Sequence, residues 1–203
     1  MKDLEQRRAP KQDRSKRRAQ QIMDTTAVLL DQVGFDELTT ILIAKELGIS
    51  VGSLYHYFPN KQAILRAIAQ SWLKDWDEAM QSLTSLPVES MTIKEVCSAI
   101  QETLFEVYKR QKGILPLVHA MYAVPELRDL DLQHDKLVVS ALSSLFKRMT
   151  IAAGQRDLPR IAGLFLEITH ELLVRAIRQK GKTAERTLAD LQALNTHLLE
   201  RYT

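Results

Sequence analysis

Three groups of side chains in this sequence have types and spacings that could do chemistry. The first is the run Ser50-Val51-Gly52-Ser53-Leu54-Tyr55-His56-Tyr57, which sets hydroxyl, imidazole and phenol groups around a glycine and carries no acid. Small donors of this kind can approach phosphate oxygens and base edges. The second is Glu167-x-x-His170, the i, i+3 pair with which four-helix carboxylate proteins help to hold two metal ions. A full site of that kind needs two such pairs and two further glutamates. The nearest substitutes are Asp131-x-x-His134, with a shorter acid, and Glu102, Glu106 and Glu171. A lone pair on a long helix is ordinarily a structural histidine. The third group is electrostatic. Residues 1–18 hold eight Lys/Arg (Lys2, Arg7, Arg8, Lys11, Arg14, Lys16, Arg17, Arg18) against three acids, a net +5. The remaining 185 residues carry 20 basic against 22 acidic side chains, a net −2. An anionic partner is therefore expected at one end only. No nucleophile–base arrangement, phosphate-cradling glycine loop or HExxH sequence occurs, so no catalytic residue, metal or cofactor is expected and the chain reads as a non-enzyme. Cys97 is the single cysteine, which excludes an intramolecular disulfide or a cysteine metal cluster.

Such groups need elements to position them, and the apolar spacing says which. At 203 residues, 45% hydrophobic and 26% charged, the chain can bury the core of one large domain or two small ones. Seven Gly and six Pro are too few for the turns of an all-β protein. Ile22, Thr26, Leu29, Leu30 and Val33 form one helical stripe that Gly34 ends. Leu65, Ile68, Trp72, Trp76, Met80 and Leu83 form another behind Asn60, an N-cap. Ser85, Pro87 and Ser90 break the pattern, and the capping box Thr92-x-x-Glu95 opens a helix that ends at Gly113. Ile114–Ala123 reads as a short apolar helix closed by Pro125. A 3–4 spacing from His134 through Met149 continues to Gly154. Asp157 caps a helix running to Gly181, with Pro159 in its first turn, and Thr183 caps a last one to about Arg201. No strand-like alternation and no internal repeat stand out, so the expected fold is all-α. The longest charge-free stretches, Gly48–Asn60 and Gly113–Pro125, are 13 residues each and cannot span a bilayer. The N-terminus lacks the apolar region of a secretory signal. A cytoplasmic chain with no membrane partner is expected.

Between Gly34 and Asn60 the spacing fits two short helices around a tight turn. Thr39 or Thr40 caps the first, Ala44 is small where a second helix must cross, and Gly48 supplies the turn's backbone angle. Ser50 caps the second helix, whose Leu54 points to a core with Ile43, Leu47 and Ile49. This is a helix-turn-helix, whose second helix lies in the DNA major groove. The wider string Arg18-x3-Ile22, Ala27-x6-Gly34-Phe35-Asp36-x3-Thr40-x2-Ile43-Ala44-x3-Gly48-Ile49-Ser50-x-Gly52-Ser53-Leu54-Tyr55-x-Tyr57-Phe58-x-Asn60-Lys61-x2-Ile64-Leu65 resembles the N-terminal domain of the TetR family of bacterial transcriptional regulators. Two departures stand out: Ile41 and Leu42 fall where that family usually has polar residues, which gives the first short helix an extra apolar contact, and the basic arm is longer than in many members.

The resemblance implies an N-terminal three-helix helix-turn-helix DNA-binding domain followed by a C-terminal helical ligand-binding and dimerisation domain. The boundaries expected are a flexible basic arm over 1–16, a DNA-binding domain over 17–66 with its helix-turn-helix at about 39–58, and an effector-binding and dimerisation domain over 67–203. It implies DNA contacts from Arg17, Arg18, Thr39, Thr40, Ser50, Val51, Gly52, Ser53, Tyr55, His56, Tyr57 and Lys61, with Thr40 and Lys61 on phosphates. The second helix lacks Arg, Asn and Gln, the usual bidentate readers of guanine and adenine, so shape and the arm should carry part of the specificity.

Further along, the helix over Leu158–Lys180 is apolar on two sides and should be buried on two sides. With the leucine seam of the last helix it suits a four-helix interface in a homodimer, for which Phe165, Leu172, Leu173, Ile177, Leu188, Leu191, Leu194 and Leu198 are the candidates. Trp72, Trp76, Phe105, Tyr108, His119, Met121, Tyr122, Phe146, Phe165 and His170 suit an apolar pocket with a few orienting polar groups. Together these readings describe a sequence-specific repressor of a palindromic double-stranded operator, associated with the nucleoid when bound and released by a small, largely apolar effector. The competing readings are a metal-binding carboxylate enzyme and a non-sensing, DNA-organising helical protein.

Overall fold

The computed structural model describes residues 8–110, 113–149, 151 and 156–203; the side chains of 8–12, 114, 115, 119, 122 and 123 lie outside that description. Nine α-helices and two 3-10 turns are assigned among the described residues, and no strand. The helices are α1 (Arg8–Glu37), α2 (Thr40–Glu46), α3 (Val51–Tyr55), α4 (Lys61–Thr84), α5 (Ile93–Arg110), α6 (Ile114–Ala123), α7 (Arg128–Arg148), α8 (Leu158–Arg178) and α9 (Lys182–Glu200). No helix of the described residues is long and apolar enough to cross a membrane.

The chain divides into two compact units, formed by the described residues of Met1–Ser71 with Lys112–Leu130, and of Trp72–Gln111 with Asp131–Thr203. The first unit thus takes in α6 as well as the segment ahead of residue 67. The reason is local to that unit: α6 packs on α1. Gly113, at the start of α6 with φ +70°, lies so close to α1 that an added Cβ would sit 2.5 Å from the Ala27 carbonyl oxygen. A second tie is the Arg66 guanidinium, which donates to both carboxylate oxygens of Asp129 and to the Glu126 carbonyl. The core of this unit holds Ile22, Leu29, Leu30, Ile43, Ala44, Leu54, Ile64, Leu65 and Leu117, all buried.

α1 differs from expectation at its front. Residues 8–16, expected as a flexible arm, belong to the helix from Arg8 onward; residues 1–7 lie outside the described residues. Pro10 does not oppose this, since a residue in the first turn needs no intrahelical N–H bond. At its other end Gly34 leaves helical geometry, with φ 78° and ψ 177°. The break falls where the sequence places it.

In the second unit α8 and α9 pack along their lengths, with α5 against both. The core holds Trp76, Met80, Val96, Ile100, Leu104, Leu142, Phe146, Phe165, Leu173 and Leu191. The capping box forms: the Thr92 N–H donates to Glu95 Oε2 at 2.7 Å and the Glu95 N–H to Thr92 Oγ1 at 3.2 Å. Two other expected caps do not form. Asp157 makes no capping bond because both its oxygens accept from Arg160. Thr183 lies inside α9, which starts at Lys182 behind Gly181. α7 ends at Arg148, and the stretch toward Gly154 lies outside the described residues apart from Met149 and Ile151. Arg148 donates to the Thr84 and Leu86 carbonyls and pairs with Glu89, which ties down the segment around Pro87.

Candidate nucleic-acid interface

α2 and α3 are too short to hold together by their own backbone bonds, and both are set by their ends. Thr39 caps α2 by accepting from the Leu42 N–H at 3.1 Å. At the other end the Ile49 N–H donates to the Ala44 carbonyl and the Gly48 N–H to the Lys45 carbonyl, with Gly48 at φ +62°. This pair of hydrogen bonds around a left-handed glycine closes α2 and turns the chain into α3. Ser50 then caps α3, accepting from the Ser53 N–H at 3.0 Å. Leu54 and Ile43 are fully buried and Ala44 nearly so, as the crossing requires, while Leu47 and Ile49 are half-buried. Asn60 caps α4 through the Ala63 N–H at 2.8 Å.

What remains on the outside of α3 is polar and small. Ser50, Gly52, Ser53, Tyr55 and His56 are exposed; Val51 and Tyr57 are half-buried. The hydroxyls are ordered by one another, Ser50 with Ser53 at 2.9 Å and Thr40 with Tyr55 at 3.1 Å. The second contact joins the start of α2 to the end of α3. His56 and Tyr57 meet edge to face at 5.4 Å between ring centres. On that flank Arg18 of α1 lines a shallow depression of about 270 Å³ with Ile49, Ser53, His56 and Tyr57. Arg17 and Thr39 are exposed.

Two positions have surroundings that spacing alone does not show. Lys61 donates from Nζ to the Phe35 carbonyl at 2.8 Å and lies 4.1 Å from the centre of the Phe35 ring. Burial lowers its pKa, against the opposing pull of Asp36. A cation is unfavourable in the first turn of α4 and favourable at the C-terminal end of α1, which is where the amine goes. Ile41 is 68% exposed on α2 and adds little to the core, while Leu42 is half-buried.

The aromatic residues of the second unit also fall into place. The Trp76 indole stands edge to face with Tyr108 at 5.4 Å and with His134 at 4.6 Å between ring centres, and the Tyr108 hydroxyl bonds His170 Nδ1. Phe146 and Phe165 are fully buried against each other. Trp72 is buried and Phe105 half-buried, beneath the Lys109 amine. Met121 is buried in the first unit; the side chains of His119 and Tyr122 lie outside the described ones. Sequence spacing did not place His134 with this group, because its partner stands on another helix. Glu167 is exposed while His170 faces Tyr108, and among the described residues no group of three or more His, Cys, Asp or Glu could hold a metal ion. The metal-carboxylate alternative finds no support.

The interface candidates separate by burial. Phe165, Leu173 and Leu191 are fully buried within their own unit, Phe165 against Phe146 of α7. Leu172, Ile177, Leu188 and Leu198 are half-buried, and Leu194 is 51% exposed.

A short capped α2, a glycine turn and a small-residue α3 define a helix-turn-helix protein of all-α build. The family model described as bacterial regulatory proteins, tetR family, matches residues 22–68, and that described as tetracyclin repressor-like, C-terminal domain, matches residues 92–199. The chain belongs to the TetR family and is a DNA-binding transcriptional regulator. HTH-type transcriptional regulator BetI 1 of Chromohalobacter salexigens is 29% identical over 135 residues, covering 64% of this chain and 66%, just under two thirds, of that protein. Among solved structures, the TetR-family regulator PfmR of Thermus thermophilus has a TM-score of 0.64 at 20% identity, covering 88% of this chain and 97% of that one. A TetR regulator of Legionella pneumophila has a TM-score of 0.65 at 13% identity, covering 89% and 94%.

Proposed function

We propose that this regulator is a cytoplasmic homodimer that binds a palindromic double-stranded operator, represses transcription there, and lets go when a small, largely apolar ligand binds. The observation that carries the DNA half is Gly52: it is exposed, free of positive φ, and its nearest heavy atom for an added Cβ is Ser50 Oγ at 3.9 Å. Folding has no use for a glycine there, whereas close backbone approach to a duplex does. In this reading Ser50, Ser53, Tyr55, His56 and Tyr57 face the groove, with Val51 at its edge. Arg17, Arg18, Thr39 and Thr40 meet phosphates, and Lys61 offers the two protons that Phe35 does not take.

The effector site belongs to the second unit, around Trp76, Tyr108 and His170, with Trp72, Phe105 and Phe146 as apolar neighbours. Aromatic walls with a phenol–imidazole pair suit an apolar ligand bearing one polar group. A ligand that favours a dimer with wrongly spaced recognition helices lowers operator affinity in proportion to its preference for that state. The dimer face is the outer side of α8 and α9, where Leu194 and Leu164 stand exposed.

Selection of duplexes from a randomised pool by the full-length protein tests the reading. A two-fold symmetric consensus with half-sites about one helical turn apart is expected. Binding with no preferred sequence would replace the repressor by a DNA-organising protein.

A further inference from the structure

The helical state of the basic segment decides which of its charges can meet a polyanion. α1 begins at Arg8, yet Ile22 is its first buried side chain among those described, and Asp13–Arg17 are exposed. Among their described side chains these turns bury no apolar stripe. What they present is charge in a fixed register. Residues advance about 100° around an α-helix and about 1.5 Å along it, so Arg14 and Arg18 lie about 40° apart and about 6 Å along the axis. Lys16 lies about 160° from both. Arg18 lines the depression beside Ser53, His56 and Tyr57 of the recognition helix segment. Among the described residues neither Arg14, Lys16, Arg17 nor Arg18 forms an ion pair.

We infer that the exposed front of α1 is a rigid strut along duplex DNA, in which Arg14 continues the Arg18 face onto a phosphate outside the stretch reached by α3, while Lys16 points away from the duplex. The inference rests on the reading that Ser53, His56 and Tyr57 face DNA. The 6 Å step corresponds to about two phosphates along one strand, so Arg14 extends the footprint outward without reading bases. A flexible arm would share its charge among all its lysines and arginines. A helix cannot, because each side chain keeps its face.

The test uses full-length protein and a duplex of about 40 base pairs selected by the wild type, long enough to flank both half-sites. Arg14→Ala is expected to weaken binding roughly two- to fivefold, the size of an exposed ion contact, and to lower the salt slope by about one per arm. Lys16→Ala leaves both at wild-type values. The hydroxyl-radical footprint shrinks at its outer edges in Arg14→Ala alone, and trimming the flanks removes the difference between Arg14→Ala and wild type. Equal losses in the two variants, or none in Arg14→Ala, overturn the strut. A pool that yields no enriched duplex overturns the operator reading, and the strut with it.

Discussion

Gly52 stands in the first turn of a five-residue helix where any alanine would serve the fold better. Glycine in a helix costs about 0.5–1 kcal/mol relative to alanine, and the space around position 52 is open. Gly52→Ala is therefore expected to raise the melting temperature while weakening operator binding. Thermal unfolding and a binding titration on one preparation measure both, and an affinity equal to wild type would mean that the backbone at 52 never approaches DNA. The neighbouring hydroxyls are arranged before any partner arrives: Thr40 with Tyr55 and Ser50 with Ser53 are bonded in pairs. Lys61 is tied back instead, its amine donating to the Phe35 carbonyl and, in the proposed reading, still carrying protons for a phosphate. Cys97 is buried, and that burial pushes its thiol up to about 11, so it is a packing group rather than a nucleophile at neutral pH.

At the scale of elements, position depends on a few close approaches. Gly113 is the tightest, facing the Ala27 backbone from a left-handed conformation. Gly113→Ala meets both the strain of φ +70° and an overlap with the Ala27 carbonyl, and should destabilise the first unit by at least ~2 kcal/mol. Chemical denaturation reads this as a lower midpoint; an unchanged midpoint would mean that α6 shifts on α1 at no cost. In the second unit the α8–α9 contact holds a buried polar bond, Asn195 Nδ2 donating to Thr169 Oγ1 at 2.8 Å, with the Thr169 hydroxyl in turn donating to the Phe165 carbonyl. Thr169→Val would leave the Asn195 amide without that acceptor and is expected to cost about 1–3 kcal/mol, measured in the same way.

For the whole molecule the decisive surface is the one its own helices leave uncovered. Leu194, at 51% exposure, and Leu164, at 38%, lie on the two helices whose inner sides already form the core of the second unit. Leu194→Glu should leave helicity intact and yield a monomer that binds a full operator far more weakly, since a dimer engages two half-sites at once. Light scattering after size exclusion and a titration against full and half operators check it. A Leu194→Glu dimer would move the interface elsewhere. Charge along the sequence is divided, +5 over residues 1–18 against −2 over the remaining 185.

The helix-turn-helix was legible because each of its parts is a local matter: Ser50 caps α3 from three residues away, Gly48 turns because it lacks a Cβ, and Leu54 reaches a core set by nearby apolar residues. Helical periodicity likewise gave the all-α class and the break at Gly34. Three kinds of fact were not legible, because each depends on what another element brings near. The full burial of Phe165, Leu173 and Leu191 was one, since spacing names an apolar face but not which neighbour covers it. Asp157 and Thr183 have the chemistry of caps, yet Arg160 takes both carboxylate oxygens of one and the helix starts before the other. The amine of Lys61 and the ring of His134 found partners 26 residues away and on another helix. By itself the sequence determined the all-α class and the helix-turn-helix, because both follow from short-range geometry. Only the tertiary structure decided which side chains stay free for a partner, because that depends on long-range contacts no local spacing encodes.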